Sequence, residues 1–250
     1  MNIKKINEFK QEDLEPTKSF IIKDHLNPDV WDDYRIKPDI REKLQDISDE
    51  FMEKVHGDYT IYDVVLTGSL SSYNWSQYSD FDIHVIIDYS DINEDVELVE
   101  HYLDLLGKRF NKDYNITIHG YDVELYIEDK DSDKDHVNGI FSIMKNKWIK
   151  KPESNDNLVV DEKLVEKKTI LIMEQIDDII NGYDSNDVED VQKQVNELWD
   201  KIKKARRDGI NSPEGEYAIG NLVFKYLRRN GYIGKMIQLK KDLVEDKYSI

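Results

Sequence analysis

The stretch LTGSLSSYNWSQYSDFDIHVIID, residues Leu66–Asp88, decides how this chain is read. A Gly-Ser pair, Gly68 and Ser69, closes an apolar run, Tyr62–Thr67, that reads as a buried strand. Asp80 and Asp82 follow at the mouth of a second apolar run, Phe81–Ile87. In a strand, alternate side chains share a face. Phe81, Ile83 and Val85 therefore face one way, and Asp80, Asp82 and His84 the other. A further strand, Tyr121–Ile127, carries Glu124 between Val123 and Leu125. Its neighbour Asp122 lies on the same face, so either acid is available as a third carboxylate. Glu124 is favoured because Val123 and Leu125 bracket it as Phe81 and Ile83 bracket Asp82.

Working outward, Pro38 suits the first turn of a helix running to about Val55, with Ile40, Leu44, Ile47, Phe51 and Val55 on one face. The serines after Gly68 suit a short helix. A helix from about Asp95 to Phe110 carries Val96, Val99, Leu103, Leu106 and Phe110 in register. Asn115–His119 and Tyr121–Ile127 read as a hairpin around His119-Gly120, and Ile140–Trp148 as a last strand or extended edge. Pro152–Asn157 reads as a boundary. Beyond it the periodicity is helical: 162–180, 188–207 and 214–229, the last ending at Asn230-Gly231. The expected organisation is an N-terminal arm (1–36), an α+β core (37–152) and a C-terminal helical region (153–250).

The 250 residues carry 35 Lys and Arg against 53 Asp and Glu, a net charge of −18. Such acidity repels polyanions at long range and argues against a long nucleic-acid partner. The absence of cysteine excludes disulfides, thiolate catalysis and cysteine zinc sites. No segment has the apolar length of a signal peptide or a membrane span, so a cytoplasmic protein is expected.

Asp80 and Asp82 project together and repel unless a cation lies between them. Magnesium takes hard oxygen ligands and shares them with phosphates. A third carboxylate from a neighbouring strand allows two ions about 3.5–4 Å apart. Gly68 lets a backbone approach a phosphate closely, and Ser69 adds a hydroxyl donor. His84 shares the acidic face; a direct metal role is open to it, and a place behind the metal ligands or in solvent is favoured.

Together, Thr67-Gly68-Ser69, Ser79-Asp80-Phe81-Asp82-Ile83 and Val123-Glu124-Leu125 resemble the motifs of the DNA polymerase β-like nucleotidyltransferase superfamily. The likeness spans about residues 37–151. The segments 139–152 and 218–233 also look like those of predicted nucleotidyltransferases from phage and bacterial genomes. The resemblance implies a nucleotidyltransferase-type mixed sheet flanked by helices. It implies Mg²⁺ or Mn²⁺ held by Asp80, Asp82 and Glu124, ATP or another nucleoside triphosphate as substrate, and transfer of its nucleoside monophosphate to a hydroxyl. The acceptor is left open among a small molecule, a nucleotide, a protein side chain and an RNA end. The alternative is a catalytically silent nucleotide-binding regulatory protein of the same fold. One departure is the aromatic spacer, with Tyr73, Trp75 and Tyr78, which either packs the short helix or narrows the acceptor side.

Two charged features are weighed against plain solvation. The acidic loop 129–138 has carboxylates at alternate positions, but Lys134 and Ile140 stand where a calcium loop needs glycine and glutamate. It is read as a solvated loop. Lys203, Lys204, Arg206 and Arg207 form one basic cluster and Lys225, Arg228 and Arg229 another. The second is expected to reach the nucleotide, because cations on a helix commonly neutralise phosphates.

Overall fold

The alternation of apolar and polar residues in the strands sorts a sheet into one face for helices and one for polar groups, and the backbone follows that sorting. The computed structural model describes residues 22–134, 137–154, 160–183 and 187–249. These form two compact units, an α+β unit within 22–154 and a helical unit within 160–249. Seven helices and two sheets are present among the described residues.

In the α+β unit, β1 (Trp31–Asp32) and β2 (Arg35–Ile36) form a small ribbon. Then α1 (Pro38–Met52) starts with its proline in the first turn, where a missing N–H costs nothing. The main sheet uses β3 (Ile61–Thr67), β4 (Asp80–Ile87), β5 (Thr117–Ile118), β6 (Tyr121–Asp129), β7 (Ile140–Ser142) and β8 (Lys147–Lys150). Its order is β5-β6-β4-β3-β7-β8. All neighbours are antiparallel except β4 and β6. Parallel neighbours need a crossover. Here α2 (Tyr89–Ile92) and α3 (Val96–Asp113) supply it, the latter capped by Asp95, whose side chain accepts from Leu98 N at 3.1 Å.

The core lies on one face of the sheet. Ile40, Leu44 and Phe51 of α1 and Val99, Leu103 and Phe110 of α3 pack with Val64, Leu66, Phe81, Ile83, Val85, Val123 and Leu125. Burying each such side chain stabilises by roughly 1.5–3 kcal/mol. The expected β5–β6 hairpin is present, with φ of 52° at His119 and 85° at Gly120. Two successive positive φ values match the right-handed twist of the flanking strands.

Two local expectations change. The segment Ile140–Trp148 is a β7–β8 hairpin rather than one strand, turning at residues 143–146 with Asn146 at φ 50°. The described part of the expected arm is integral to the core: Leu26, Val30, Trp31 and Ile36 are buried, and Trp31 stacks on Trp148 at 4.7 Å. The remainder of that arm, 1–21, and the boundary residues 155–157 lie outside the described residues, as do 135–136 of the acidic loop. Two of the spacer aromatics pack: Tyr73 is buried with its hydroxyl 2.6 Å from that of Tyr34, and Trp75 packs against the core and donates to His25 O at 2.9 Å.

The helical unit comprises α4 (Glu162–Gly182), α5 (Val188–Ile210), α6 (Ile219–Arg229) and α7 (Tyr232–Tyr248). Its own core includes Val165, Met173, Val195, Ile202, Leu227, Tyr232, Met236 and Leu243. No helix among the described residues is long and apolar enough to cross a membrane.

Candidate metal centre

The polar face of β4 and β6 brings the acids together through register. The parallel pairing sets Asp80 opposite Asp122 and Asp82 opposite Glu124. Phe81, Ile83 and Leu125 are fully buried, and Val123 nearly so, on the opposite face. They fix the strands that carry the acids. A carboxylate oxygen from each of Asp80, Asp82 and Glu124 lies within 4.8 Å of the other two, and all three residues are half-buried. Asp122 is exposed and outside this group, so the geometry favours Glu124 as the third acid.

Gly68 abuts the cluster. It follows β3, whose last residue Thr67 pairs with Asp82, and it has φ 73° and ψ −161°. A Cβ at this position would lie 1.9 Å from Asp82 Oδ2. Glycine is therefore required twice, for the backbone conformation and for the space the carboxylate occupies. A single 3-10 turn, Ser69–Ser71, follows. The serines stitch the loop. Ser69 Oγ donates to Ser79 Oγ at 2.7 Å, Ser79 Oγ accepts from Ser76 N at 2.9 Å, and the buried Ser71 hydroxyl lies 3.0 Å from Gly68 O and 2.9 Å from Gly139 O. The Ser69 hydroxyl thus ties the glycine turn to the entry of β4.

The next position on the same face of β6 is Tyr126, which no motif in the sequence marks. Its hydroxyl donates to Glu124 Oε2. Burial, then that hydrogen bond, then the charges of Glu124, Asp82 and Asp80 raise its pKa far above the ordinary phenol value. Tyr126 is thus a fixed hydrogen-bond donor to one of the two Glu124 carboxylate oxygens. The signal for it was the alternation itself, since Glu124 and Tyr126 share a face.

His84 stacks on Tyr126, with ring centroids 5.0 Å apart, and its Nδ1 lies 2.8 Å from Glu128 Oε1. It is outside the group of three acids that could hold a metal. Burial works to raise the Glu128 pKa, but His84 and Lys134 outweigh it and lower the carboxylate to about 2. The acidic loop is tied down where it leaves the sheet: Asp129 accepts from Tyr89 N at 2.8 Å, and Lys130 pairs with Asp88 at 2.5 Å.

The cations assigned from sequence to the nucleotide, Lys225, Arg228 and Arg229, are on α6 in the helical unit. There Lys225 Nζ lies 3.4 Å from Glu216 Oε2. The chain matches no protein-family model, no curated protein and no solved structure.

Proposed function

We propose that this protein is a metal-dependent nucleotidyltransferase, moving a nucleoside monophosphate from a nucleoside triphosphate to a hydroxyl acceptor and releasing pyrophosphate. One observation carries the reading: carboxylates of Asp80, Asp82 and Glu124 converge within 4.8 Å beside a turn whose glycine leaves no room for a side chain. The motifs that supply these residues are those that resemble the polymerase β-like superfamily.

The donor set fits a hard divalent cation. Three oxygen donors from two rigid strands suit Mg²⁺ or Mn²⁺, and no nitrogen or sulfur ligand is among them. When bound, the metal would supply positive charge at the phosphates and make the acceptor hydroxyl more acidic. Asp80, Asp82 and Glu124 would hold it. The remaining residues position these acids. The buried Phe81, Ile83, Val123 and Leu125 anchor them, and Tyr126 orients Glu124. Fixed carboxylates need no reorganisation at the moment of reaction. In this reading Gly68 and Ser69 form the phosphate side of the site. The acceptor hydroxyl loses its proton to solvent as its oxygen bonds to the α-phosphorus, the bond from that phosphorus to the leaving oxygen breaks, and pyrophosphate departs with the electron pair.

Incubating the protein with Mg²⁺ or Mn²⁺, α-labelled nucleoside triphosphates and a panel of hydroxyl acceptors tests the reading. Labelled product and pyrophosphate are expected, falling at least about 100-fold in Asp80→Asn/Asp82→Asn, since loss of a principal electrostatic element costs that much. Nucleotide binding with no product under any condition would instead assign a catalytically silent nucleotide-binding protein. Neither binding nor product would remove the assignment altogether.

A further inference from the structure

The helical unit contains a groove of about 690 Å³ whose charge runs against that of the chain. Its lining includes four cations, Lys203, Lys204, Arg206 and Arg207, and one carboxylate, Asp200. Trp199, Lys203, Arg206, Arg207 and Ile210 recur at three- and four-residue spacings on α5, which places them on one stripe of the helix. Phe224 of α6 completes the wall.

The cations are not explained by neutralisation alone. Lys204 pairs with Asp208 one turn on. Arg206 is half-buried, with its guanidinium 4.1 Å from the Phe224 ring centroid. Lys203 and Arg207 are exposed and stand in no ion pair among the described residues. In a chain with 53 acids to 35 bases, partners for a lysine or arginine are abundant. Collecting cations in one concavity, with little acid facing them, leaves a local positive potential that attracts an anion. Beside them, the half-buried Trp199 indole has Lys203 and Lys240 ammonium groups 5.9 and 5.7 Å from its ring centroid.

We propose that this groove binds a small phosphate ester bearing a planar ring, of mononucleotide size. Lys203 and Arg207 take the phosphate, with Arg206 held on Phe224 beside them, and Trp199 takes the ring. The volume lies within the roughly 300–1,000 Å³ of small-molecule sites. A net charge of −18 disfavours a long polyanion as the occupant. The proposal stands independently of the acid triad and of any transfer reaction.

Full-length protein in EDTA, with no divalent cation, is titrated with AMP, adenosine, inorganic phosphate and a 20-nucleotide single-stranded RNA. Binding is followed by calorimetry and tryptophan fluorescence. AMP is expected to bind saturably, with adenosine and phosphate each at least 10-fold weaker. Lys203→Ala/Arg207→Ala should weaken AMP at least 10-fold with an unchanged thermal transition, because both residues are exposed. Trp199→Phe should remove the fluorescence change, while Asp80→Asn/Asp82→Asn should leave AMP binding as it was. Four results would overturn the proposal: no saturable AMP binding, AMP binding indifferent to the Lys203/Arg207 change, adenosine binding as tightly as AMP, or RNA binding tighter than AMP with a steep salt dependence, which would assign the groove to a strand. Retention of AMP binding in the acid-triad variant separates this outcome from that of the transferase reading.

Discussion

At the scale of single residues, the site depends on contacts that leave little room for change. Gly68→Ala would place a Cβ 1.9 Å from Asp82 Oδ2, so the carboxylate must move. A displacement of about 1 Å in a reacting constellation costs roughly 100-fold in rate, so under the proposed function transferase assays on this variant should show a loss of that order. Tyr126→Phe removes the donor to Glu124 while keeping the ring on His84. Divalent-metal affinity, read by calorimetry, should fall about 10–100-fold, as it does when supports of metal ligands are lost. Stability should change by only about 1 kcal/mol. Glu128 gives a pH signature. Its folded pKa, about 2, lies below the reference 4.5, so its stabilisation is complete above about 4.5 and is lost as pH falls toward 2. Urea denaturation of Glu128→Gln across that range should show a shallower acid loss than the parent, by on the order of 2 kcal/mol. The acid positions were legible because strand alternation and the Asp-Phe-Asp spacing reach the sequence directly. The Tyr126 hydrogen bond was less so, since alternation gives a shared face but not the side-chain torsions that bring the hydroxyl to Glu124.

At the scale of elements, β6 shows how an outer strand is finished without another strand. The short β5 covers only Tyr121 and Asp122. Farther along, the Asn111 side chain of α3 acts as a partner: Nδ2 donates to Leu125 O and Oδ1 accepts from Leu125 N, both at 2.9 Å. Asn111→Ala strands both backbone groups and should destabilise by about 1–3 kcal/mol, with faster amide exchange at Leu125 as the local readout. This contact is not legible in the sequence, because Asn111 looks like one more polar residue on a helix and its partner is fixed by packing. Other elements escaped for different reasons. The two-residue strands β1 and β2 are too short to show a period. The Asn230-Gly231 stop closes α6 and hides the start of α7, because Gly231 at φ 77° both ends one helix and begins the next. The long strands and α1, α3, α4 and α5 were read correctly to within a few residues because their apolar faces repeat over many positions.

At the scale of the whole molecule, two units hold separate hydrophobic cores, and the acid cluster belongs to the α+β unit alone. Three half-buried carboxylates so close together repel, and a bound cation removes that repulsion. Mg²⁺ or Mn²⁺ should therefore raise the unfolding free energy, by about 2.7 kcal/mol at a concentration 100 times the dissociation constant. Calorimetric melts with and without the ion should show this gain in the parent and little in Asp82→Asn. The acids also come from segments far apart in the chain, Asp80 and Asp82 before the α3 crossover and Glu124 after it. A chain emerging from the ribosome thus has no complete ligand set until β6 has been made and has docked beside β4. Under the proposed reading, metal capture would be a late event in the life of the polypeptide, a seal set on finished assembly rather than a nucleus for it.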